Sequence, residues 1–350
     1  MPNITDQILD NLITKQVNLL RTAEGVSGQL LSEFEDLQAQ IVKLLKSKDM
    51  SSYTRARTRQ LMADVQDLLT EFAQRTFNIT EAGAARVAEM ITSRTATTIN
   101  DLIGADLVSP SLSIQKLETL LSDSAILGGA SLQDFWDQWP TKMTNAYADI
   151  IRNGAIYGQS VGDMIDAIEE SGAISGRIND IATMVRTSYM NVANESRLTM
   201  YGDSSDLVKG FQWVSTLDAN TCVECAAYDG LQWDLDYAPI DHDLPFPGAT
   251  AHGNCRCTQV PVLKSFDELS DDTQSELDNM DDTTRASMDG QVAASLDYED
   301  WLSTKSDEFQ QDVLGPGRYD LWKSGKLELR DLLSQNGNPL TLDELANKLS

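Results

Sequence analysis

All four cysteines of this chain lie between positions 222 and 257, and both histidines fall close by. Cys222-Val-Glu-Cys225 is a pair separated by two residues, and His252-Gly-Asn-Cys255-Arg-Cys257 supplies three more soft or borderline donors further along. Spacing of this kind lets two knuckle-like turns converge on one tetrahedral ion. Zinc suits the set, because thiolate and imidazole both bind it and its filled d-shell imposes no geometry on the loops. Four of the five candidates Cys222, Cys225, His252, Cys255 and Cys257 would suffice, and the pattern does not say which is spare. Disulfides formed outside a reducing cell, or plain reduced thiols in a small core, would account for the same cysteines. A zinc ion here would be structural. The segment is too short and polar to build much core, so a metal cross-link would supply folding energy that burial does not.

Catalysis has little to rest on. A catalytic metal needs an open coordination position beside a general base, and neither His-Glu-x-x-His nor His-x-Glu with Pro-Cys-x-x-Cys occurs. His242, between Asp241 and Asp243 on a Pro-rich loop, reads as a solvated side chain without a partner constellation. Gly158-Gln-Ser160-Val-Gly162 fits the Gly-x-Ser-x-Gly pattern of hydrolases, but no strand precedes it. Ser160 with Asp163 instead makes a capping box for the next helix. No phosphate-binding or dinucleotide glycine motif occurs. The expectation is a non-enzyme with no catalytic residues. The enzymatic readings to set against it are a metal-dependent hydrolase, a Cys–His nucleophile using His252, or a hydrolase using Ser160.

The elements that must position the Cys/His stretch are mostly helical. Leu12, Leu19, Val26, Leu30, Phe34, Leu37, Ile41 and Leu44 mark an amphipathic helix with coiled-coil tendency, which Gly25 and Gly28 threaten to break. An ordinary bundle helix and a self-associating coiled coil both satisfy that pattern. Leu61, Val65, Leu68, Leu69 and Phe72 mark a second helix, over Ser51 to Arg75. Arg55, Arg57 and Arg59 near its start read as a solvated face with local ion pairs. Thr80 with Glu81 opens a third helix that Gly104 stops. After a Ser109-Pro110-Ser111 connector come a short helix (Ser113 to Leu121), a break at Gly128-Gly129, and a longer helix from Ser131 to Asn153 whose aromatic residues are core. Helices over Val161 to Glu170 and Arg177 to Tyr201 follow.

Short β-type runs then appear at Phe211–Val214 and Thr258–Val262. An acidic, weakly apolar stretch from Ser265 to Thr284 reads as a linker, and a tail from Tyr298 to Leu349 regains helical periodicity and should dock. The fold class is therefore α+β, predominantly α: long N-terminal helices, a small irregular β/zinc-knuckle-like module and a helical C-terminal tail. Four regions are expected, at 1–105, 106–206, 207–264 and 265–350.

Lys and Arg number 27 against 54 Asp and Glu, for a formal charge of −27, so phosphate-rich surfaces should repel most of this molecule and specific nucleic-acid binding is not expected. The opening MPNITDQILDNLITKQ lacks a basic region followed by an apolar one, so no signal peptide is expected. No uninterrupted apolar run is long enough to span a bilayer.

The run Lys209-Gly-Phe-Gln-Trp213-Val-Ser-Thr-Leu-Asp218-Ala-Asn-Thr-Cys222-Val-Glu-Cys225, then Asp229-Gly230, then His252-Gly-Asn-Cys255-Arg-Cys257, resembles the head morphogenesis domain of tailed bacteriophages, the family related to the Mu F protein. Upstream, Gly158-Gln-Ser160 and Arg186-Thr187 with Asn191, Asn194 and Arg197 are similar to the helices that precede the module in that family. Asp297-Tyr-Glu-Asp-Trp301-Leu and Phe309-Gln-Gln-Asp-Val-Leu314-Gly315-Pro-Gly-Arg318 resemble the closing segment of such minor head proteins. The first 150 or so residues match nothing specific. The resemblance implies a virion protein made in the host cytoplasm and incorporated in few copies into the procapsid. It would sit at the portal vertex, with the portal protein and possibly coat or scaffolding protein as partners, and act in head assembly or genome delivery. Portal or coat contacts are then expected in the helical first 200 residues. An effector ejected with the genome is the alternative.

Overall fold

The computed structural model describes residues 4–47, 55–123, 131–157, 159–170, 173–264, 284–293 and 295–349. Helices α1 (Ile4–Ser47), α2 (Arg55–Ile103), α3 (Ile114–Asp123), α4 (Leu132–Tyr157), α5 (Val161–Glu170) and α6 (Ala173–Asp203) come first. Strand β1 (Val208–Val214), helix α7 (Val223–Tyr228) and strands β2 (Gln232–Asp234), β3 (Pro239–Ile240) and β4 (Thr258–Leu263) follow. A hairpin of β5 (Thr284–Ser287) and β6 (Gly290–Ala293) leads into helices Tyr298–Ser303, Asp307–Leu314 and Pro316–Lys323, a 3-10 turn at Leu329–Leu332 and a last helix, Leu342–Lys348. The fold is α+β and mostly helical, with a small antiparallel sheet beside the cysteines. The Gly128-Gly129 break and, apart from Thr284, the acidic stretch from Ser265 lie outside the described residues, as do the side chains of Leu12, Arg55 and Arg57.

Two compact units result, one from Leu20–Arg86 with Glu118–Tyr189, the other from Met1–Leu19, Val87–Leu117 and Met190–Ser350. In the first, α1 buries Leu30, Phe34, Leu37, Ile41 and Leu45, one stripe at helical spacing; Leu45, not Leu44, is the position turned inward. Phe34 meets Phe72 of α2 and Trp139 of α4 edge-on, at centroid distances of 5.8 and 5.9 Å. Gly83 admits the ring of Tyr189: a Cβ there would lie 1.7 Å from the tyrosine oxygen.

Two helix expectations are corrected. Helix α1 runs unbroken through Gly25 and Gly28, both exposed with nothing within 4 Å of an added Cβ. Alanine at each should therefore stabilise by roughly 1 kcal/mol, the difference in helix propensity, read as a higher denaturation midpoint. An unchanged midpoint would mean that α1 is not helical there in solution. The second and third expected helices are one, α2. The Thr80 hydroxyl does not cap a new start but donates back to the Thr76 carbonyl at 2.7 Å, as Thr76 does to Phe72 at 2.8 Å and Thr92 to Ala88 at 2.7 Å. With its hydroxyl so paired, each threonine is buried like an apolar residue, and the stripe continues without interruption.

In the second unit the sheet order is β3-β2-β1-β4, antiparallel throughout. β1 pairs with β4 from Val214↔Thr258 to Val208↔Leu263, with an irregularity between Val208 and Gly210. Pro261 is tolerated because β4 is an edge strand. Asn194, Arg197 and Tyr201, on one face of α6, all reach the β4 side of the module. Asn194 donates to the carbonyls of Ala249 (2.7 Å) and Cys257 (3.0 Å), Arg197 to Thr258 Oγ1 (2.7 Å), and Tyr201 to the Gln259 carbonyl (3.1 Å). The tail docks. Tyr298, Trp301, Leu302, Leu314, Leu329, Leu332 and Leu345 are buried in the same core as Trp213, Tyr228, Trp233 and the module cysteines, as are Ala96 and Ile99 of α2.

Candidate metal centre

Cys222 follows a turn that Asp218 organises, its Oδ1 accepting from the Asn220 N–H at 2.9 Å. The Cys222 sulfur is the N-cap of α7 and accepts from the Cys225 N–H at 3.4 Å, which sets the first cysteine at the mouth of the helix and the second one turn inside. The other knuckle turns at His252, where the Cys255 N–H donates to the His252 carbonyl at 3.2 Å and Asn254 adopts a left-handed φ of 61°. It is tied to the first by a forked Arg256–Asp218 ion pair, in which Nη2 reaches Oδ1 at 2.7 Å.

These turns bring all five expected donors together. They form two groups that share Cys225: Cys222, Cys225 and His252, and Cys225, Cys255 and Cys257. Within each, the donor atoms lie within 4.8 Å of one another, as a metal ion requires. His252 Nε2 is 3.1 Å from both the Cys222 and the Cys225 sulfur, and the Cys225 and Cys255 sulfurs are 3.8 Å apart. His252 Nδ1 donates to the Gly253 carbonyl at 2.8 Å, the arrangement by which a ligating histidine presents its other nitrogen to an ion. All four cysteines are free thiols, Cys222 exposed and the others buried.

Electrostatics prepare the group for a cation. The hydrogen bond from Cys225 holds the Cys222 thiol down at about 4, and that thiolate in turn lifts the His252 imidazole to about 9. Cys255 is likewise held well below an ordinary thiol by its contact with Cys225, whose own thiol, as the donor in these contacts, is pushed up. Burial raises Cys257. Anionic sulfur facing a protonatable nitrogen is what a divalent ion would take over, replacing the proton and offsetting the negative charge.

Comparison of the chain with protein-family models, with curated proteins and with solved structures finds no match.

The remaining candidates lie elsewhere. Ser160 caps α5, its Oγ accepting from the Asp163 N–H at 3.1 Å while Asp163 Oδ2 accepts from the Ser160 N–H at 2.8 Å. His242 is not a solvated side chain. One ring nitrogen donates to the Gln232 carbonyl at 2.8 Å, the other accepts from the Leu244 N–H at 3.2 Å, and the ring sits edge-on to Trp233 at 4.8 Å. With both nitrogens taken by backbone, it shapes the loop after β3 and has no free nitrogen for proton transfer.

Sequence reasoning missed Ser215 and Arg285. Ser215 lies directly behind the knuckles, and Arg285 crosses from the hairpin to pair with Asp229 at 3.1 Å, with both side chains almost wholly buried. Arg285 also donates to the carbonyls of Ser215 (2.6 Å) and Leu296 (3.0 Å), and the Asp229 carboxylate accepts from the N–H groups of Ser215 (2.6 Å) and Tyr298 (2.7 Å). Arg285 belongs to no short motif, and Ser215, although it lies inside the run from Lys209 to Cys225, has no chemistry-bearing pattern of its own to announce it.

Proposed function

We propose that this chain is a minor head protein of a tailed bacteriophage, of the head morphogenesis family, whose Cys/His module is cross-linked by a structural zinc ion. The single observation that carries the reading is which residues pack together. The module residues that bear the resemblance, the α6 residues Asn191, Asn194 and Arg197 ahead of it, and the tail residues Trp301 and Leu314 behind it belong to one compact unit. A knob built this way suits a rigid part in an assembly, held at the portal vertex by other surfaces of the chain. Zinc is the ion that the donors favour, because thiolates with one imidazole match its preferences.

Co-expression with the portal protein of the same phage, read by size-exclusion chromatography with light scattering, tests the assignment. A stable complex of defined stoichiometry is expected. A folded chain that elutes alone would overturn it and favour an effector carried with the genome.

One observation favours a second reading, a Cys–His nucleophile: the exposed, low-lying Cys222 thiol stands 3.1 Å from His252. The same nitrogen is equally close to Cys225, so the imidazole faces two thiols rather than one nucleophile. Cys222→Ser separates the readings. A structural site loses metal and thermal stability, whereas a catalytic one stays folded with unchanged stability.

A further inference from the structure

We infer that Tyr237 and Glu195 form a recognition site for an arginine side chain presented by a partner protein. Tyr237 lies in the turn between β2 and β3 with a left-handed φ of 65°, a conformation that a bulky residue adopts only at a cost. The turn itself is fixed by Asp234, whose Oδ1 accepts from the N–H groups of Asp236 (2.9 Å) and Ala238 (2.8 Å), so its hydrogen bonding does not ask for an aromatic ring. The ring lies almost parallel to Phe246, at 9° with centroids 5.2 Å apart, and Phe211 and Trp233 support Phe246 at 5.0 and 5.6 Å. Tyr237 is thereby backed on one side by the core of the module, while 47% of it stays exposed. An aromatic face held in place and open to solvent is a seat for a cation.

Glu195 supplies the charge. It stands on α6, partly buried, and is close enough to Tyr237 for its charge to help raise the phenol, which burial already pushes up. Burial alone pushes the Glu195 carboxyl up: among the described residues neither a cation nor a hydrogen bond holds it down. A carboxylate withdrawn from water in this way gains most from a cation brought by another molecule. The module offers none of its own, since no lysine or arginine occurs from Gly210 to Cys255, while Asp236, Asp241 and Asp243 are exposed in the same loops. Arginine fits both parts of the site. A planar guanidinium stacks on an aromatic face and still presents N–H donors in its own plane to a carboxylate, which a compact ammonium does less well. The exposed aspartates add an attraction that speeds encounter and weakens with salt.

The test titrates the full chain with an acetylated triarginine amide at low salt, read in the backbone and indole N–H resonances of isotope-labelled protein. Shifts should centre on Tyr237, Phe246 and the Trp233 indole; shifts scattered over the acidic surface without that centre would overturn the inference. Tyr237→Leu should weaken binding about two- to fivefold, the worth of an exposed cation–π contact. Glu195→Gln should weaken it about tenfold, the lower range for a hydrogen bond between charged groups. If both variants bind like the unmodified protein, attraction to the net charge of −27 accounts for the affinity and the inference falls. A tricitrulline peptide, of similar shape but uncharged, should not bind measurably. A trilysine peptide that binds as tightly as triarginine would overturn the assignment to arginine.

Discussion

With zinc held as proposed, stripping it is expected to melt the module's unit at a markedly lower temperature, and Cys225→Ala should reproduce that loss and no longer respond to a chelator. Cys225 is the donor common to both groups of candidate ligands, so its loss breaks both at once. An ion present at a thousand times its dissociation constant stabilises the folded state by about 4 kcal/mol. In a unit of this size, that corresponds to a shift of roughly 8–16 °C in Tm. The expectation fails if thermal scans with and without chelator superimpose on protein shown to carry zinc beforehand.

Arg285→Ala should be the most damaging change outside the cysteines. It leaves the Asp229 carboxylate, 1% exposed, without its cation in the interior, and breaking one side of such a pair costs about 3–5 kcal/mol. The Ser215 and Leu296 carbonyls lose their donor at the same stroke. The outcome is read as a denaturant midpoint, with m unchanged if the variant still unfolds in one step. Replacing Asp229 as well should recover only part of the loss, because its oxygens also receive the Ser215 and Tyr298 N–H groups. A single variant within 1 kcal/mol of the parent would show that water reaches this pair in solution.

These two changes act on one construction. Asp229 grips β1 through Ser215, the tail through Tyr298 and the hairpin through Arg285, while the Tyr298 hydroxyl donates to the Asp218 carbonyl at 2.9 Å beside the first knuckle. The tail thereby closes over the turns that carry the Cys/His cluster, so disturbance of either should be felt in the other. A lower metal content in Arg285→Ala, alongside the loss of stability it shares with Cys225→Ala, would make that coupling visible.

What the amino-acid sequence by itself determined were the features that short-range chemistry dictates. The stripe through Leu30, Phe34, Leu37 and Ile41 is legible because a helix returns to the same face every three or four residues. The Ser160–Asp163 cap is legible because donor and acceptor are three residues apart. The Cys/His set is legible because each knuckle is built from neighbours, although the sequence leaves the choice among five donors open. What only the tertiary structure decided were the partnerships between distant residues. The continuity of α2 rests on threonines that look polar in sequence but satisfy their hydroxyls on their own helix before being buried. The Asp229–Arg285 pair joins residues whose proximity no periodicity encodes.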